Sequence, residues 1–134
     1  MNLFLLDTSA LLVHFRNETG AARVQAILED GTAEVLIAAP SVAELALRIA
    51  ELGAKTTEAR AIALEYADLA SKVIAVDSAL AIRAFELGSA SAKCLPLVDA
   101  LIASAACLHE ATLVHRDPHF GAIPMDLLRQ ELLA

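Results

Sequence analysis

Four carboxylates are the residues of this sequence whose types and positions could support chemistry. Asp7 follows the apolar run at residues 3–6, and Asp117 follows a second short apolar run near the other end of the chain. Glu44 and Asp99 lie in the first turns of two predicted helices. Acidic groups beside buried elements are costly unless a cation compensates their charge. Because hard divalent cations prefer oxygen ligands, the four acids indicate a metal site if the fold brings them together.

Each carboxylate also has a purely structural explanation. Asp7 is a good N-cap for the helix that follows it, and Glu44 has the capping-box spacing from Ser41. Asp99 is near a helix N-terminus, where the macrodipole favours negative charge. Asp117 precedes a proline and is typical of a turn. The residues taken singly leave both explanations open.

Short apolar runs that alternate with amphipathic segments must position these acids. Buried strands are predicted at residues 3–6, 35–38, 73–76 and 113–114. The segments between them predict helices, with a loop at residues 88–93 and a helical tail from Met125. The pattern predicts an α/β fold, a single compact domain over residues 1–134 with a mainly parallel sheet of four to five strands flanked by helices. Sites in such sheets form at the carboxyl ends of strands, where Asp7 and Asp117 lie.

The net charge of the 134-residue chain is −7 at neutral pH. This charge argues against a protein that coats nucleic acid, because phosphate binding usually leaves a basic footprint. It does not argue against an enzyme that holds a phosphodiester through a metal ion, since part of the acidic excess is the site itself. The same charge favours a basic protein partner on electrostatic grounds.

The sequence gives no indication of a membrane segment or a secretory signal. No apolar run approaches the roughly 18 residues that a transmembrane helix needs, and the first residues lack a basic segment. Cys94 and Cys107 lack the spacing of a zinc site. We therefore expect two reduced thiols and a cytoplasmic protein.

Four segments resemble, in order, the acidic motifs of PIN-domain ribonucleases. They are LLDTSAL at residues 5–11, PSVAEL at 40–45, LPLVDALIA at 95–103 and LVHRDPHF at 113–120. Within that family the chain is most similar to the VapC toxins of bacterial toxin–antitoxin pairs, from the first strand to about residue 124. The resemblance implies a PIN-like domain, a Mg²⁺ site with Mn²⁺ as an alternative, and cleavage of single-stranded or loop RNA. It also implies a homodimer and a cognate VapB-like antitoxin.

The resemblance assigns the catalytic positions to the four acids. It places Asp7, Asp99 and Asp117 in the metal site, where we expect Asp7 and Asp99 to bind the ion directly and Asp117 to bind it directly or through a water molecule. Glu44 is expected to position the attacking water or help to deprotonate it, and to contact the ion through water. The chemistry needs these groups, because hydrolysis of a phosphodiester requires an activated water and neutralised phosphoryl oxygens.

Five further residues are expected to support the acids or the RNA. Ser9 is a hydroxyl close to Asp7 that could hydrogen-bond to it. Many family members have Thr or Ser two residues before the last acid, where this chain has His115, an imidazole able to replace that hydrogen bond. Arg16, Lys93 and Arg116 flank the acidic segments and are candidates for binding RNA phosphates.

Several alternatives are open at this point. A PIN fold that binds RNA or a partner without turnover is one, and a DNA nuclease of related fold is another. A phosphatase or receiver-like protein is less favoured, because no Lys lies at an equivalent strand end. A histidine-ligated transition-metal site at residues 115–119 is also disfavoured, since no third His or Cys is nearby. Arg48 has the spacing to form an ion pair with Glu44.

Overall fold

A five-stranded sheet forms the centre of the molecule in the computed structural model, which describes residues 2–134. Its strands are β1 (Asn2–Leu6), β2 (Ala33–Ala38), β3 (Lys72–Ile74), β4 (Thr112–His115) and β5 (Gln130–Leu132). The strand order is β3-β2-β1-β4-β5, and each neighbouring pair is parallel. The predicted α/β class with a parallel sheet is confirmed.

Helices connect the strands and cover the sheet. They are α1 (Thr8–Phe15), α2 (Ala21–Glu29), α3 (Ala39–Glu51), α4 (Thr56–Leu69), α5 (Ser78–Ala90) and α6 (Leu97–Leu108). A 3₁₀ turn at Pro118–Ala122 follows β4. Across residues 2–134, no helix combines the length and the apolar character that crossing a bilayer requires.

Successive residues of the central strands point into two different cores. Leu5 and Leu113 belong to a buried cluster that includes side chains of α5 and α6. Leu6 and Val114 belong to a second cluster that includes side chains of α1 to α4. Because side chains alternate between the two faces of a strand, both faces of this sheet are buried, and its central strands are largely apolar.

The edge of the sheet where β1 and β4 end is where the chain turns toward the acids. Leu6 pairs with Val114 in parallel register, so the residues that follow both strands leave the sheet at the same edge. Asp7 follows β1 directly, and Asp117 lies two residues beyond the end of β4. The sheet therefore brings together two acids that lie at opposite ends of the sequence.

The predicted helical tail is wrong. Residues 125–127 form a turn, and Gln130–Leu132 pair with β4 as the last strand of the sheet. Local helix propensity is a weak preference, and here the exposed edge of β4 offers backbone hydrogen bonds while Leu128 and Leu133 are buried. The predicted loop at residues 88–93 is also too long, because α5 continues to Ala90.

Candidate metal centre

Asp7 is the most deeply buried of the four acids. It is the N-cap of α1, and its Oδ1 accepts hydrogen bonds from the Ala10 N–H at 2.9 Å and from Ser9 Oγ at 2.7 Å. Only 2% of the residue is exposed. Burial raises the pKa of the Asp7 carboxyl to about 7, although the hydrogen bonds oppose this shift. Asp7 therefore caps the helix, as expected for a structural role, and also carries a charge that is costly without a cation.

Ser9 connects the end of β1 with the end of β4. Its Oγ donates to Asp7 and accepts a 2.8 Å hydrogen bond from the backbone N–H of Arg116. The contact between Ser9 and Asp7 that the sequence suggested is thus present. One hydroxyl holds the Asp7 carboxylate against the segment that carries Asp117.

Asp99 and Asp117 meet at the imidazole of His119. Asp99 lies in the first turn of α6 and is 8% exposed, and Asp117 is the N-cap of the 3₁₀ turn. The His119 Nδ1 atom is 2.9 Å from Asp99 Oδ2 and 3.2 Å from Asp117 Oδ1. Each of the three residues offers one ligand atom, and these atoms all lie within 4.8 Å of one another. His119 was not predicted as a site residue, because its partner Asp99 is on another element.

The electrostatics of the acids link all four into one cluster. Burial raises the pKa of Asp99, and the negative charges of Asp117 and Glu44 raise it further. The charge of Asp117 also contributes to the raised pKa of Asp7. Mutual repulsion between partly desolvated carboxylates is the condition that a bound divalent cation relieves.

Glu44 lies half-buried on α3 and does not form the ion pair with Arg48 that its spacing permits. Arg48 Nη1 instead lies 3.1 Å from Glu51 Oε2, toward the end of the helix. The Glu44 charge is therefore left to act on the acidic cluster, where it raises the pKa of Asp99.

His115 supports the backbone of Asp117. Its Nδ1 accepts a 3.1 Å hydrogen bond from the Asp117 N–H, which requires the neutral ring to donate from Nε2 to Gln130 Oε1 at 2.8 Å. The residue is 3% exposed, its ring packs edge-on against Phe120, and burial lowers its pKa. The imidazole thus positions the main chain of the acid. Gln130 was not predicted as its partner, because that segment was expected to be helical.

The three basic residues predicted to bind RNA have different surroundings. Arg116 Nη2 forms a 2.7 Å ion pair with Glu18, and Arg16 Nε lies 3.7 Å from the same carboxylate. Lys93 lines a cavity of about 340 Å³ together with His119. Lys93 therefore shares a cavity wall with His119, whereas Arg16 and Arg116 converge on Glu18.

The donor set fits a divalent cation that prefers oxygen. Carboxylates dominate it, and two buried hydroxyls in the adjoining segments, Thr8 Oγ1 and Ser41 Oγ, have no hydrogen-bond partner among residues 2–134. Thr8 follows Asp7, and Ser41 is one helical turn before Glu44. A larger cavity of about 690 Å³ is lined by Arg83, Cys107 and Arg129 and includes none of the four acids, so its size does not identify the chemical site.

Solved structures with the same fold include toxin–antitoxin complexes. The chain is 25% identical to FitAcB from Neisseria gonorrhoeae, with 96% of both chains covered and a TM-score of 0.71. It is 21% identical to the DNA-bound VapBC from Salmonella typhimurium, with 98% of both chains covered and a TM-score of 0.77. It is 17% identical to VapC20 from Mycobacterium tuberculosis, a sarcin–ricin-loop-cleaving toxin, over 89% of this chain and 93% of that one, with a TM-score of 0.70.

A search of curated proteins by sequence finds no match. The model of the PIN-domain family does match, and it covers residues 4–124. This range contains all four acids, the whole of the cluster around His119 and every strand of the sheet except the start of β1 and all of β5. The family resemblance seen in the sequence motifs is thereby confirmed. The chain belongs to the PIN-domain family.

Proposed function

We propose that this protein is a metal-dependent endoribonuclease that hydrolyses phosphodiester bonds in single-stranded or loop RNA, as the toxin of a toxin–antitoxin pair. The meeting of Asp99 and Asp117 at His119, with Asp7 and Glu44 coupled electrostatically to these acids, carries this proposal. Membership of the PIN-domain family and the similarity to an RNA-cleaving VapC toxin support it. The catalytic unit in this proposal is the single domain formed by residues 1–134.

The chain's own residues divide the work of hydrolysis. Asp7, Asp99 and Asp117 would hold Mg²⁺, with Mn²⁺ as the alternative. When bound, the ion neutralises charge on the phosphoryl oxygens and makes water a better nucleophile. Glu44 is the acid that remains to orient the attacking water and accept its proton, because it lies on α3 beside the others and has no ion pair with Arg48.

Lys93 is proposed to bind a phosphate next to the scissile bond. It lines the cavity that also contains His119, and the His119 ring contacts Asp99 and Asp117. Arg16 and Arg116 remain candidates, although their shared partner Glu18 must release them first. With a net charge of −7 the protein is expected to bind RNA locally through such contacts rather than over a basic surface.

The partners in this proposal are a VapB-like antitoxin and a second copy of the chain. A further structure with this fold, from Klebsiella pneumoniae, is described as a toxin–antitoxin complex, which supports an antitoxin partner. Leu64 and Leu69 are exposed on α4, one of the helices whose apolar stripe could contact an antitoxin helix. Both cysteines are free, which agrees with the proposed location in the cytoplasm.

Cleavage of a defined RNA tests the proposal. Purified protein with Mg²⁺ should cut a labelled hairpin RNA, and chelation should stop the reaction. Asp99→Asn should lower the rate on the order of 100-fold or more, because charge stabilisation in the transition state is lost. Asp68→Asn, a matched change at an exposed residue of α4, should leave the rate unchanged.

The outcomes separate the main proposal from the binding-module alternative. Equal cleavage by Asp99→Asn and the wild type would show that the catalytic assignment is wrong. RNA binding by the wild type without any cleavage, across several RNAs and both metal ions, would favour the silent PIN-fold module. Cleavage of DNA in preference to RNA would favour the related DNA nuclease.

A further inference from the structure

The imidazole of His119 contacts two of the acids, Asp99 and Asp117. Its Nδ1 atom is 2.9 Å from Asp99 Oδ2 and 3.2 Å from Asp117 Oδ1. The backbone N–H of His119 also donates a 2.9 Å hydrogen bond to Asp117 Oδ1. The side chain is 53% exposed, so the ring has a buried side against the acids and an open side toward solvent.

The two distances from His119 Nδ1 match the separation of neighbouring ligand atoms in an octahedral coordination shell. Ligand atoms 2.0–2.1 Å from a shared ion, at right angles to each other, are about 3 Å apart. The two distances from Nδ1 lie on either side of that value. Each contact taken separately is explained by a hydrogen bond. Together they place one nitrogen within 3.2 Å of two carboxylates from different elements, which is the arrangement that ligands of a shared ion require.

The local sequence explains how the ring is held there. Asp117 caps the 3₁₀ turn that begins at Pro118, and this cap fixes the main chain of His119 two residues later. Asp117 is in turn held by His115, whose Nδ1 accepts its N–H. The acid on α6, Asp99, then completes the set from a distant part of the chain.

We propose that His119 Nδ1 is a direct ligand of the metal ion, together with Asp99 and Asp117, and that the site binds Mn²⁺ more tightly than Mg²⁺. The inference rests on the proposed function for the presence of a divalent ion, and it adds a nitrogen ligand to the three proposed carboxylate ligands. Carboxylates and water suit both Mg²⁺ and Mn²⁺, but Mn²⁺ is a first-row transition-metal ion that also accepts nitrogen ligands, whereas Mg²⁺ prefers oxygen. A nitrogen donor therefore shifts the preference toward Mn²⁺.

The other histidines do not compete for this role. Both ring nitrogens of His115 are engaged, and the residue is 3% exposed. His14 contacts Tyr66 and Gln25 through its two nitrogens. His109 lies at the C-cap of α6, where Nδ1 is 3.0 Å from the Ala105 carbonyl oxygen. A nitrogen signal from the bound ion would therefore come from His119.

Pulsed EPR of the intact protein loaded with Mn²⁺ tests the proposal without any measurement of activity. The wild-type spectrum should contain modulation from a directly bonded ¹⁴N nucleus. H119Q should abolish this modulation while the fold is retained, because the amide side chain offers an oxygen in place of the ring nitrogen. H109Q, the matched control at the end of α6, should retain it.

Metal titration gives an independent readout. Hydrogen-bond partners of metal ligands are worth about 10–100-fold in affinity, so loss of a direct ligand in H119Q should weaken Mn²⁺ binding at least 10-fold. Mg²⁺ binding should weaken less, so the affinity for Mn²⁺ relative to that for Mg²⁺ should be lower in H119Q than in the wild type. H109Q should leave both unchanged.

The failures of the two proposals are distinguishable. Mn²⁺ bound in the wild type without ¹⁴N modulation, or with equal affinity in H119Q, would overturn the role of His119 while RNA cleavage could still be intact. A wild-type protein that binds neither ion would overturn the metal-dependent function and this inference together. Nitrogen coordination in a protein that cuts no RNA would support the ligand and contradict the nuclease.

Discussion

Ser9 donates a 2.7 Å hydrogen bond to Asp7, and the same hydroxyl accepts the backbone N–H of Arg116 from the other end of the chain. The contact joins the ends of β1 and β4, which are adjacent parallel strands. It is also one of the interactions that hold the pKa of Asp7 below the value that burial alone would give. The position of the carboxylate and its charge therefore depend on one small side chain.

Ser9→Ala should weaken metal binding by about 10–100-fold, which is the usual effect of removing a hydrogen bond to a metal ligand. It should also cost about 1–3 kcal/mol of folding free energy, because the Arg116 N–H loses its acceptor. Calorimetric metal titration and urea denaturation measure the two effects. Ser89→Ala, at an exposed position of α5, is the control. Unchanged metal affinity in Ser9→Ala would contradict the proposed support of Asp7.

Asp7→Asn should stabilise the metal-free protein at pH 8. Burial raises the pKa of Asp7 from 3.8 to about 7, so its contribution to stability is fully present below pH 3.8 and is lost as the pH rises through 7. A pKa that is higher by about 3 in the folded protein than in the unfolded chain corresponds to roughly 4 kcal/mol. The amide keeps an oxygen that can accept from Ser9 and carries no charge.

Urea denaturation in the presence of a chelator, from pH 4 to pH 8, measures this effect. The stability difference between Asp7→Asn and the wild type should grow with pH and level off above pH 7. Asp99 contributes with the same sign in both proteins, because its pKa is also raised. If the difference in unfolding free energy between the two proteins did not change with pH, ionisation of Asp7 would not destabilise the fold. Added Mn²⁺ should shrink the difference, since the ion stabilises only the carboxylate.

His115→Ala should destabilise the fold by about 2–4 kcal/mol, because a buried ring and two hydrogen bonds are lost. Burial lowers the pKa of His115 below its usual 6.5. The stability that neutral His115 contributes is therefore fully present above pH 6.5 and is lost as the pH falls through the lowered pKa. The variant should not show this loss of stability at acidic pH. Thermal and urea unfolding measure both effects. His109→Ala, a half-buried histidine, should cost less, and an equal cost would contradict the role of the His115 ring.

Glu44→Gln should reduce the rate of RNA cleavage far more than it reduces metal affinity. Glu44 is proposed to act on the attacking water, and its charge raises the pKa of Asp99, so its removal leaves Asp99 more readily ionised. Single-turnover cleavage and metal titration give the two quantities. Glu65→Gln, at an exposed position of α4, is the control. Metal binding that falls as much as cleavage would instead make Glu44 a ligand.

The alternation of apolar runs and amphipathic segments was sufficient to predict the parallel sheet and the edge where Asp7 and Asp117 leave it. The signal is strong because the central strands are buried on both faces and are therefore largely apolar. The last strand was not predictable in this way. Gln130–Leu132 consists of residues that favour helices, and only the free edge of β4 makes this segment a strand.

The motifs predicted the four acids and the supporting residues Ser9 and His115, whereas the contacts made by His119 and Gln130 were not predictable. Ser9 is close to Asp7 in sequence, so its contact was foreseeable. The contacts of His119 with Asp99 and of His115 with Gln130 join residues 15 to 20 positions apart on different elements. A histidine in a turn carries no local sign of which carboxylate it will meet after folding.

Anomalous diffraction from crystals soaked in Mn²⁺ tests most directly whether the four acids and His119 gather around one divalent cation. We expect an anomalous peak within coordinating distance, about 2.0–2.3 Å, of oxygens of Asp7, Asp99 and Asp117 and of His119 Nδ1, with Glu44 in the surrounding shell. A fully occupied Mn²⁺ peak elsewhere on the molecule, with none beside these residues, would contradict the proposed metal centre.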